Sequence, residues 1–571
     1  MKNQEIMEIF KAIADILEIG GENPFRIRAY RKAAQNIEGL TEDIETLTRK
    51  KKLNDIPGVG TDLAGKIEEY IRTGAVKAYE DLKKTASGPA LELMAIPGVG
   101  SKTAKLLCDK RKIKSIKDLE KKASKGLIKA VPGLKEKTIA NILRGIEFLK
   151  KSEEKTPLGT ALAISGQIIG HLKKVPGVKK IELAGSLRRM KETVRDIDIL
   201  ITSKSPRKVM DVFTNLPAAK ETLMHGPTKS SIIANGKIQV DLRVVSPSSF
   251  GSAMCYFTGS KSHNIHLRKM ALARGLKINE YGVFKKSTNK KIAGEEEKGI
   301  YKALNLAYIE PEMREDKGEI ELAARDDLPC LLEPADIKGD LHVHSRSSDG
   351  VLSIEEIASA CQARGYEYVV ITDHSKTLRV AGGLKKKELF ANLEKIRKLN
   401  KKLKKIRLLA GSEVDILADG SLDYDVSVLK ELDFVVAALH SGFKQSKKVL
   451  TDRLVRAMKS RHVNMIAHPT GRLMGVRGPY EIDLEKVFKV AGDTNTALEI
   501  NAYPERLDLD DNASRRAKEL GVSIGIATDT HIARQFDNMR FGISVARRAG
   551  LEKKDVLNTL SRERLLRRIK K

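Results

Sequence analysis

Nine side chains able to ligate a metal recur through the last 230 residues, each at the end of a short apolar run. They are His342 and His344 in GDLHVHS, Asp349 in SSDG, His374 in VVITDHS, Glu413 in LLAGSEVDI, His440 in VVAALHSG, His468 in MIAHPTGR, and Asp529 and His531 in IATDTH. A further run, ALEINAY, carries Glu499 and Asn501 between the last two groups. From His342 to His374, Glu413, His440, His468, Glu499 and Asp529 the steps are 32, 39, 27, 28, 31 and 30 residues, the length of one strand-loop-helix unit. Repeats of that length close into a parallel β/α barrel with its chemistry at the carboxyl ends of the strands. Histidines placed only for packing would not keep landing there. Mixed imidazole and carboxylate sets accept Mn2+, Zn2+ or Fe2+. Two or three such ions would generate hydroxide near neutral pH and hydrolyse phosphate esters. Arg472, four residues past His468, is placed either to hold a phosphate oxygen or to make a surface ion pair.

A different chemistry precedes the barrel. Ile181-Glu-Leu-Ala reads as a strand, Gly185-Ser186 as a turn, and Leu187-Arg188-Arg189 as the start of the next element. Then comes Arg195-Asp-Ile-Asp-Ile-Leu-Ile, where strand alternation puts Asp196 and Asp198 on one face. Ile238-Gln-Val-Asp-Leu-Arg-Val-Val repeats the pattern, with Asp241 between Gln239 and Arg243 on the polar face. Three carboxylates on neighbouring strands can hold two Mg2+ or Mn2+ ions about 3.5–4 Å apart for in-line phosphoryl transfer. Gly185 and Ser186 would let backbone and hydroxyl approach a triphosphate, and Arg189 would offset its charge.

The first 150 residues are organised by a small repeat: Ile56-Pro-Gly-Val-Gly-Thr, Ile96-Pro-Gly-Val-Gly-Ser and Val131-Pro-Gly-Leu-Lys-Glu. Each follows a helical segment and opens another. Gly58, Gly60, Gly98 and Gly100 shape tight turns whose backbone N–H groups, at a helix N-terminus, can hold a DNA phosphate without reading sequence. The third copy has Lys135 where the second glycine is expected. VPGVKKI at 175–181 looks like a fourth but leads into a strand, so it is read as unrelated.

Composition agrees with a polyanionic partner. The 571 residues carry a net charge of +30, and 32% are charged. Residues 1–100 have 15 basic against 16 acidic side chains, whereas 101–155 have 17 against 7. Cys108, Cys255, Cys330 and Cys361 are scattered without C-x-x-C, which supports neither a disulfide frame nor a zinc finger and suits a reducing cytoplasm. No apolar run is long enough for a membrane span, and no secretory pattern opens the chain.

Hairpins, G-S, D-x-D, a third strand aspartate, Cys255-Tyr-Phe-Thr-Gly-Ser and Ile278-Asn-Glu-Tyr-Gly follow one another in that order. In this order the chain resembles the family X DNA polymerases, polymerase beta in particular, from about residue 3 to residue 325. The resemblance implies that Tyr256, Phe257 and Gly259 contact the deoxyribose of an incoming nucleotide. Asn264 and Arg268 match positions that probe the minor groove of the nascent pair and the template. Lys261 and Arg195 depart from that family's pattern at positions that bear on base selectivity. Arg28-Ala-Tyr-Arg-Lys-Ala-Ala and Leu63-Ala-Gly-Lys66-Ile resemble its lyase domain, with Lys66 on the Schiff-base position. An exposed helix lysine is the other reading, and Asp62, one turn before Lys66, would favour the ammonium form. The C-terminal barrel resembles the PHP (polymerase and histidinol phosphatase) domains, whose trinuclear ligand set all nine residues match.

The expected protein is therefore multidomain: an α-helical helix-hairpin-helix head, an α+β nucleotidyltransferase palm with fingers, and a C-terminal distorted (β/α)7 PHP barrel. Its parts are a lyase-like domain with the first hairpin (1–85), a second hairpin region (86–155), the palm (156–240), the palm end with a nucleotide-selection subdomain (241–325), a linker (326–336) and the barrel (337–571). The expected activity is filling of short gaps in DNA repair, with the barrel acting as a metal-dependent 3′→5′ exonuclease or 3′-end trimming site and as a candidate for cleavage at abasic sites. Gapped or primer-template DNA and deoxynucleoside triphosphates are the expected partners of a cytoplasmic, nucleoid-associated monomer. Two alternatives stay open: a DNA-end nuclease whose palm mainly binds DNA, and a polymerase whose barrel is structural.

Overall fold

The structure is a computed structural model that describes residues 2–38, 44–85, 88–94, 96, 99, 101–124, 142, 155–235 and 238–569. Two compact units divide the chain. One is Met1–Thr156, Thr160–Arg188 and Thr193–Tyr308; the other is Pro157–Gly159, Arg189–Glu192 and Ile309–Lys571.

The first unit begins with helices Lys2–Gly20, Pro24–Glu38, Ile44–Arg49, Thr61–Thr73 and Lys77–Thr85. Ile6, Phe10, Ile13 and Leu17 recur at helical spacing and are buried, so the first helix turns one apolar stripe inward. Phe10 meets Tyr30 edge to face, with ring centroids 5.4 Å apart. Residues 6–76 share this core, while Ile19, Leu93, Ile96, Val99, Leu107 and Leu119 belong to a second. The helical head is thus two small packed bodies. The third hairpin sequence, at 131–136, lies outside the described residues.

The palm sheet has five strands in the order Val178–Leu183, Asp196–Ser203, Ile238–Val244, Lys229–Ala234, Ala219–His225. Asp196–Ser203 and Ile238–Val244 run parallel, and the remaining pairs are antiparallel. In Ile238–Val244 every second residue is buried, leaving Gln239, Asp241 and Arg243 on the open face. Val175-Pro-Gly-Val does lead into a strand, as its sequence suggests. Helices Phe250–Thr258, Lys261–Ala273 and Glu297–Ala303 follow, with the antiparallel sheet Leu276–Asn279, Gly282–Lys285 and Lys291–Ala293.

The second unit is built on seven parallel strands in sequential order: Gly339–Val343, Tyr368–Ile371, Arg407–Asp415, Phe434–Ala438, Met465–Ile466, Ala497–Asn501 and Ile524–Ala527. Helices on the crossovers cover the outside, so the strands are buried on both faces and read as continuous apolar runs. The ring is nearly closed by a parallel bridge between Val343 and Thr530, where His344 N–H donates to the Thr530 carbonyl at 2.9 Å. This is the expected seven-fold barrel. The boundary ahead of it falls earlier than the expected linker. Residues from Ile309 already belong to this unit, and within 326–336 Leu332 is fully buried and its carbonyl accepts from Arg547 at 3.0 Å.

Candidate functional site

The parallel register of the two central palm strands sets Asp198 opposite Asp241 and Asp196 opposite Gln239. Asp241 accepts from the Ser231 hydroxyl and, at 3.1 Å, from Gln239 Nε2. Burial, with Asp196 and Asp241 nearby, pushes the Asp198 carboxyl up to about 7. Three carboxylates that repel one another on one face are a ready seat for divalent cations. The turn before them has a reason of its own: Gly185 has φ +65, and a Cβ there would lie 2.5 Å from Asp198 Oδ2. Only glycine brings the Gly185–Arg188 helix start this close to the metal face.

Beside this face, Phe257 packs edge to face on Tyr256 (5.1 Å) and lies under the Arg243 guanidinium (4.7 Å). Asn264 Nδ2 donates to the Tyr256 carbonyl at 2.7 Å, and Gly259, at φ +68, ends the helix that carries both aromatics. Tyr256 and Arg268 line one cavity of about 290 Å3 together with Arg49, Lys277 and Asn279. In the first hairpin, Gly58 (φ +83) makes the turn and Gly60 is the N-cap of Thr61–Thr73. Nothing lies within 4 Å of a Cβ built at Gly60, so that helix start is open to a phosphate. Gly98 and Gly100 of the second hairpin lie outside the described residues. Lys66 is ion-paired with Asp62, the i, i+4 contact its spacing suggests.

In the barrel, all nine expected ligands converge. Glu413 is the hub: Oε2 is 2.9 Å from His374 Nδ1 and 3.4 Å from His342 Nε2, and Oε1 is 3.0 Å from His468 Nε2 and 3.3 Å from His440 Nε2. Asp529 Oδ1 is 3.2 Å from His344 Nε2, and Asp349 Oδ2 is 3.4 Å from His374 Nε2 and 3.3 Å from His531 Nε2. Three ligand groups result: His344, Asp349, His374 and His531; His342, His344 and Asp529; His374, Glu413 and His440. His468 (φ +28) and Asp529 (φ +52) both hold left-handed backbone, which L side chains disfavour.

The donor set fits metal ions. His342 Nε2 and His344 Nε2 lie 3.1 Å apart, a distance that a shared cation or proton relieves. Nδ1 of His344 and of His468 is buried without a hydrogen-bond partner among the described residues. Burial and the adjacent His374 drive His344 down to about 4. Against the same burial, Glu413 raises His374 to about 10 and His440 to about 9. Glu413 and Asp529 are held well below the usual carboxylate range by the imidazoles around them, despite their burial. The buried carboxylates are thus neutralised by cations held among the imidazoles, a place that protons or metal ions can take.

Comparison with known proteins adds the ancestry. Residues 1–76 match the helix-hairpin-helix domain family, 90–147 the SAM-like helix-hairpin-helix tandem, 253–315 the DNA polymerase beta thumb and 340–503 the PHP domain. The chain is 38% identical to the DNA polymerase/3′-5′ exonuclease PolX of Bacillus subtilis (strain 168) over 563 residues, 98% of each chain. The chain belongs to the family X DNA polymerases that carry a PHP domain. Other relatives of this PHP-bearing polymerase cover its parts. DNA polymerase lambda of Rattus norvegicus is 26% identical over 55% of this chain and 56% of its own. A probable phosphatase of Thermoanaerobacter sp. (strain X514) is 33% identical over 38% of this chain and 89% of its own.

Arg189 is not where its sequence position suggested, and Arg472 takes the ion pair that its position left open. Arg189 donates through Nε to Glu315 at 3.0 Å, and its backbone carbonyl accepts from Arg548, so its guanidinium is engaged by a carboxylate. Its neighbour Arg188 forms a bidentate pair with Glu297 at 2.9 and 2.7 Å. Arg472 is likewise committed, to both oxygens of Glu192 at 3.1 and 2.7 Å and to the Arg506 carbonyl. The unassigned cation at the barrel centre is Arg506, with Nε 3.9 Å from Asp529 and a buried Nη1 that has no partner among the described residues. Other residues orient the ligands. Glu499 holds His342 Nδ1 at 2.8 Å and Asp415 holds His440 Nδ1 at 2.5 Å, which turns the opposite ring nitrogens toward Glu413. Asn501 Nδ2 bridges Glu499 and Asp529 at 3.2 Å each. Asp415 follows Glu413 by two residues, a strand spacing that places both on one face and could have revealed it.

Proposed function

We propose that this protein fills short gaps in DNA as a DNA-directed DNA polymerase and trims DNA 3′ ends in its barrel. The observation that carries the first half is the register of Asp198 against Asp241, with Gly185 packed beneath. Asp196, Asp198 and Asp241 would hold Mg2+ or Mn2+, which supply Lewis acidity and neutralise charge on the phosphoryl oxygens. The primer 3′-oxygen then bonds to the α-phosphorus, the bond to the bridging oxygen breaks, and pyrophosphate leaves. Asp241, oriented by Ser231 and Gln239, is the carboxylate assigned to help the 3′-hydroxyl lose its proton. Ser186 binds the triphosphate at the helix start, Tyr256, Phe257 and Gly259 bound the sugar pocket, and Asn264 probes the minor groove of the nascent pair. Arg268 reaches the minor groove, and the hairpin glycines Gly58, Gly60, Gly98 and Gly100 bind backbone phosphates on either side of the gap.

In the barrel, the nine ligands would hold two or three Mn2+, Zn2+ or Fe2+ ions, which supply hydroxide at neutral pH and stabilise a phosphodiester's developing charge. Arg506 rather than Arg472 is the residue assigned to a phosphate oxygen. Lys66 is the candidate Schiff-base amine for an abasic sugar. The reading describes a nucleoid-associated cytoplasmic monomer; among the described residues no helix is long and apolar enough to cross a membrane.

A 5′-labelled primer on gapped DNA tests both halves. With Mg2+ and deoxynucleotides the primer should lengthen to the gap's end. Without nucleotides, and with Mn2+, it should shorten from the 3′ end. A chain that shortens but never lengthens its primer would be a DNA-end nuclease instead.

A further inference from the structure

The barrel's ligands are not equally accessible. His342, His344, Glu413 and His468 side chains are at most 3% exposed, whereas Asp349 and His531 are 32% and 30% exposed. A substrate phosphate therefore reaches the centre from the Asp349–His531 side. Beside that side runs a cavity of about 500 Å3 between the loops that follow the first and second barrel strands. Its floor is a polar chain leading to the centre: Ser347 Oγ donates to Asn392 (3.1 Å), and Asn392 Nδ2 donates to Asp373 (3.2 Å). Ser348 Oγ then shares its hydrogen between Asp373 (2.8 Å) and the ligand Asp349 (3.3 Å).

The wall is basic. Arg379 and Lys385 line this cavity and are exposed, and neither side chain makes an ion pair among the described residues. The loop that presents Arg379 is anchored at both ends. Ser375 and Leu384 form a parallel bridge, Leu384 N–H donates to the His374 carbonyl at 2.8 Å, and Thr377 N–H donates to Asp423 at 2.8 Å. At its tip Val380 is 94% exposed, an apolar side chain that a rigid loop holds in water for no packing gain. Free cations on a polar slot, with an apolar tip at the rim, suit a polynucleotide strand: charge for phosphates, an apolar face for a base.

We infer that this groove binds the single-stranded DNA segment leading to the scissile 3′-terminal phosphodiester, with Arg379 and Lys385 on its backbone phosphates. The inference rests on the phosphodiesterase reading of the barrel and adds what feeds it.

The test compares two substrates of the full-length, metal-loaded chain without nucleotides: an oligothymidylate of eight residues, and bis(p-nitrophenyl) phosphate, a diester too short to reach the groove. Arg379→Ala/Lys385→Ala should lower kcat/KM on the oligonucleotide about tenfold or more, mainly through KM, and leave the small diester within about twofold of the parent. Loss of two single-strand phosphate contacts should also flatten the salt dependence of oligonucleotide hydrolysis by about 1.4 log units per log unit of salt. Arg379→Lys/Lys385→Arg, which keeps both charges, should restore most of the loss. Parent-like oligonucleotide hydrolysis in the alanine variant overturns the groove. So does equal loss on both substrates, since the residues would then act on the metal centre. A parent that cleaves neither substrate sinks the phosphodiesterase reading itself, and the groove with it.

Discussion

Gly185 and Asp198 occupy each other's space: a methyl group on Gly185 would sit 2.5 Å from Asp198 Oδ2, at a backbone φ of +65 that L side chains disfavour. The turn proposed to meet the triphosphate and the carboxylate proposed to meet the metal are thus one packed unit. Gly185→Ala should displace Asp198 and cut nucleotide addition by about a hundredfold or more, while the circular dichroism spectrum stays that of the parent. Asp241→Ala should abolish addition and leave DNA affinity nearly intact, because the hairpins are untouched. Extension by Asp241→Ala within about threefold of the parent would remove Asp241 from the metal site.

The raised Asp198 carboxyl gives a pH dependence with a definite sign. Below about pH 7 it carries a proton that a metal must displace, and above that pH it does not. The Mg2+ concentration for half-maximal nucleotide addition should rise by up to about tenfold per pH unit below 7 and level off above it. A flat profile from pH 6 to 8 counts against the buried carboxylate cluster.

The hairpin reading concerns binding alone. Affinity for gapped duplex should fall by about 0.9 log unit per log unit of salt for each phosphate neutralised, with little response to base sequence. Gly60→Val, which keeps the fold but fills the open space before Thr61–Thr73, should weaken binding equally on all sequences. Titration by fluorescence anisotropy at several salt concentrations measures both.

For the barrel, His342→Ala/His344→Ala should remove bound metal and all hydrolysis, with primer extension preserved. Arg506→Ala should keep its metal yet lose about a hundredfold in hydrolysis. Arg472→Ala should act through stability, because Arg472 is tied to Glu192. Elemental analysis alongside activity separates the three. Nuclease activity that survives the histidine pair and vanishes in Asp196→Ala would belong to the palm.

The ion pair of Lys66 with Asp62 must open before the amine can attack an aldehyde. Borohydride trapping on an abasic-site oligonucleotide should be weak in the parent, stronger in Asp62→Asn, and absent in Lys66→Ala/Asp62→Asn. Equal trapping in all three would place the reactive amine elsewhere.

Local pattern was enough to pick out the side chains that the fold brings together as candidate ligands. Strand alternation put Asp196, Asp198 and Asp241 on open faces, and the recurring strand-loop-helix step put His342 through His531 at the carboxyl ends of parallel strands, because both periodicities belong to the backbone itself. Pairing of long cationic side chains was not readable in this way. Arg189 finds Glu315 126 residues along the chain, and Arg472 finds Glu192 280 residues away. Nothing in their neighbouring residues marks those partners, so Arg189 looked free for phosphate and Arg472 stayed between a phosphate and an ion pair until the fold engaged them. The same holds for Glu499, Asn501 and Arg506. A sequence shows a polar residue near a strand end, but only the closed barrel decides whether it meets a metal, a ligand's second atom or the substrate. A flexible side chain's partner is chosen by distance across the fold, and spacing along the chain does not encode that distance.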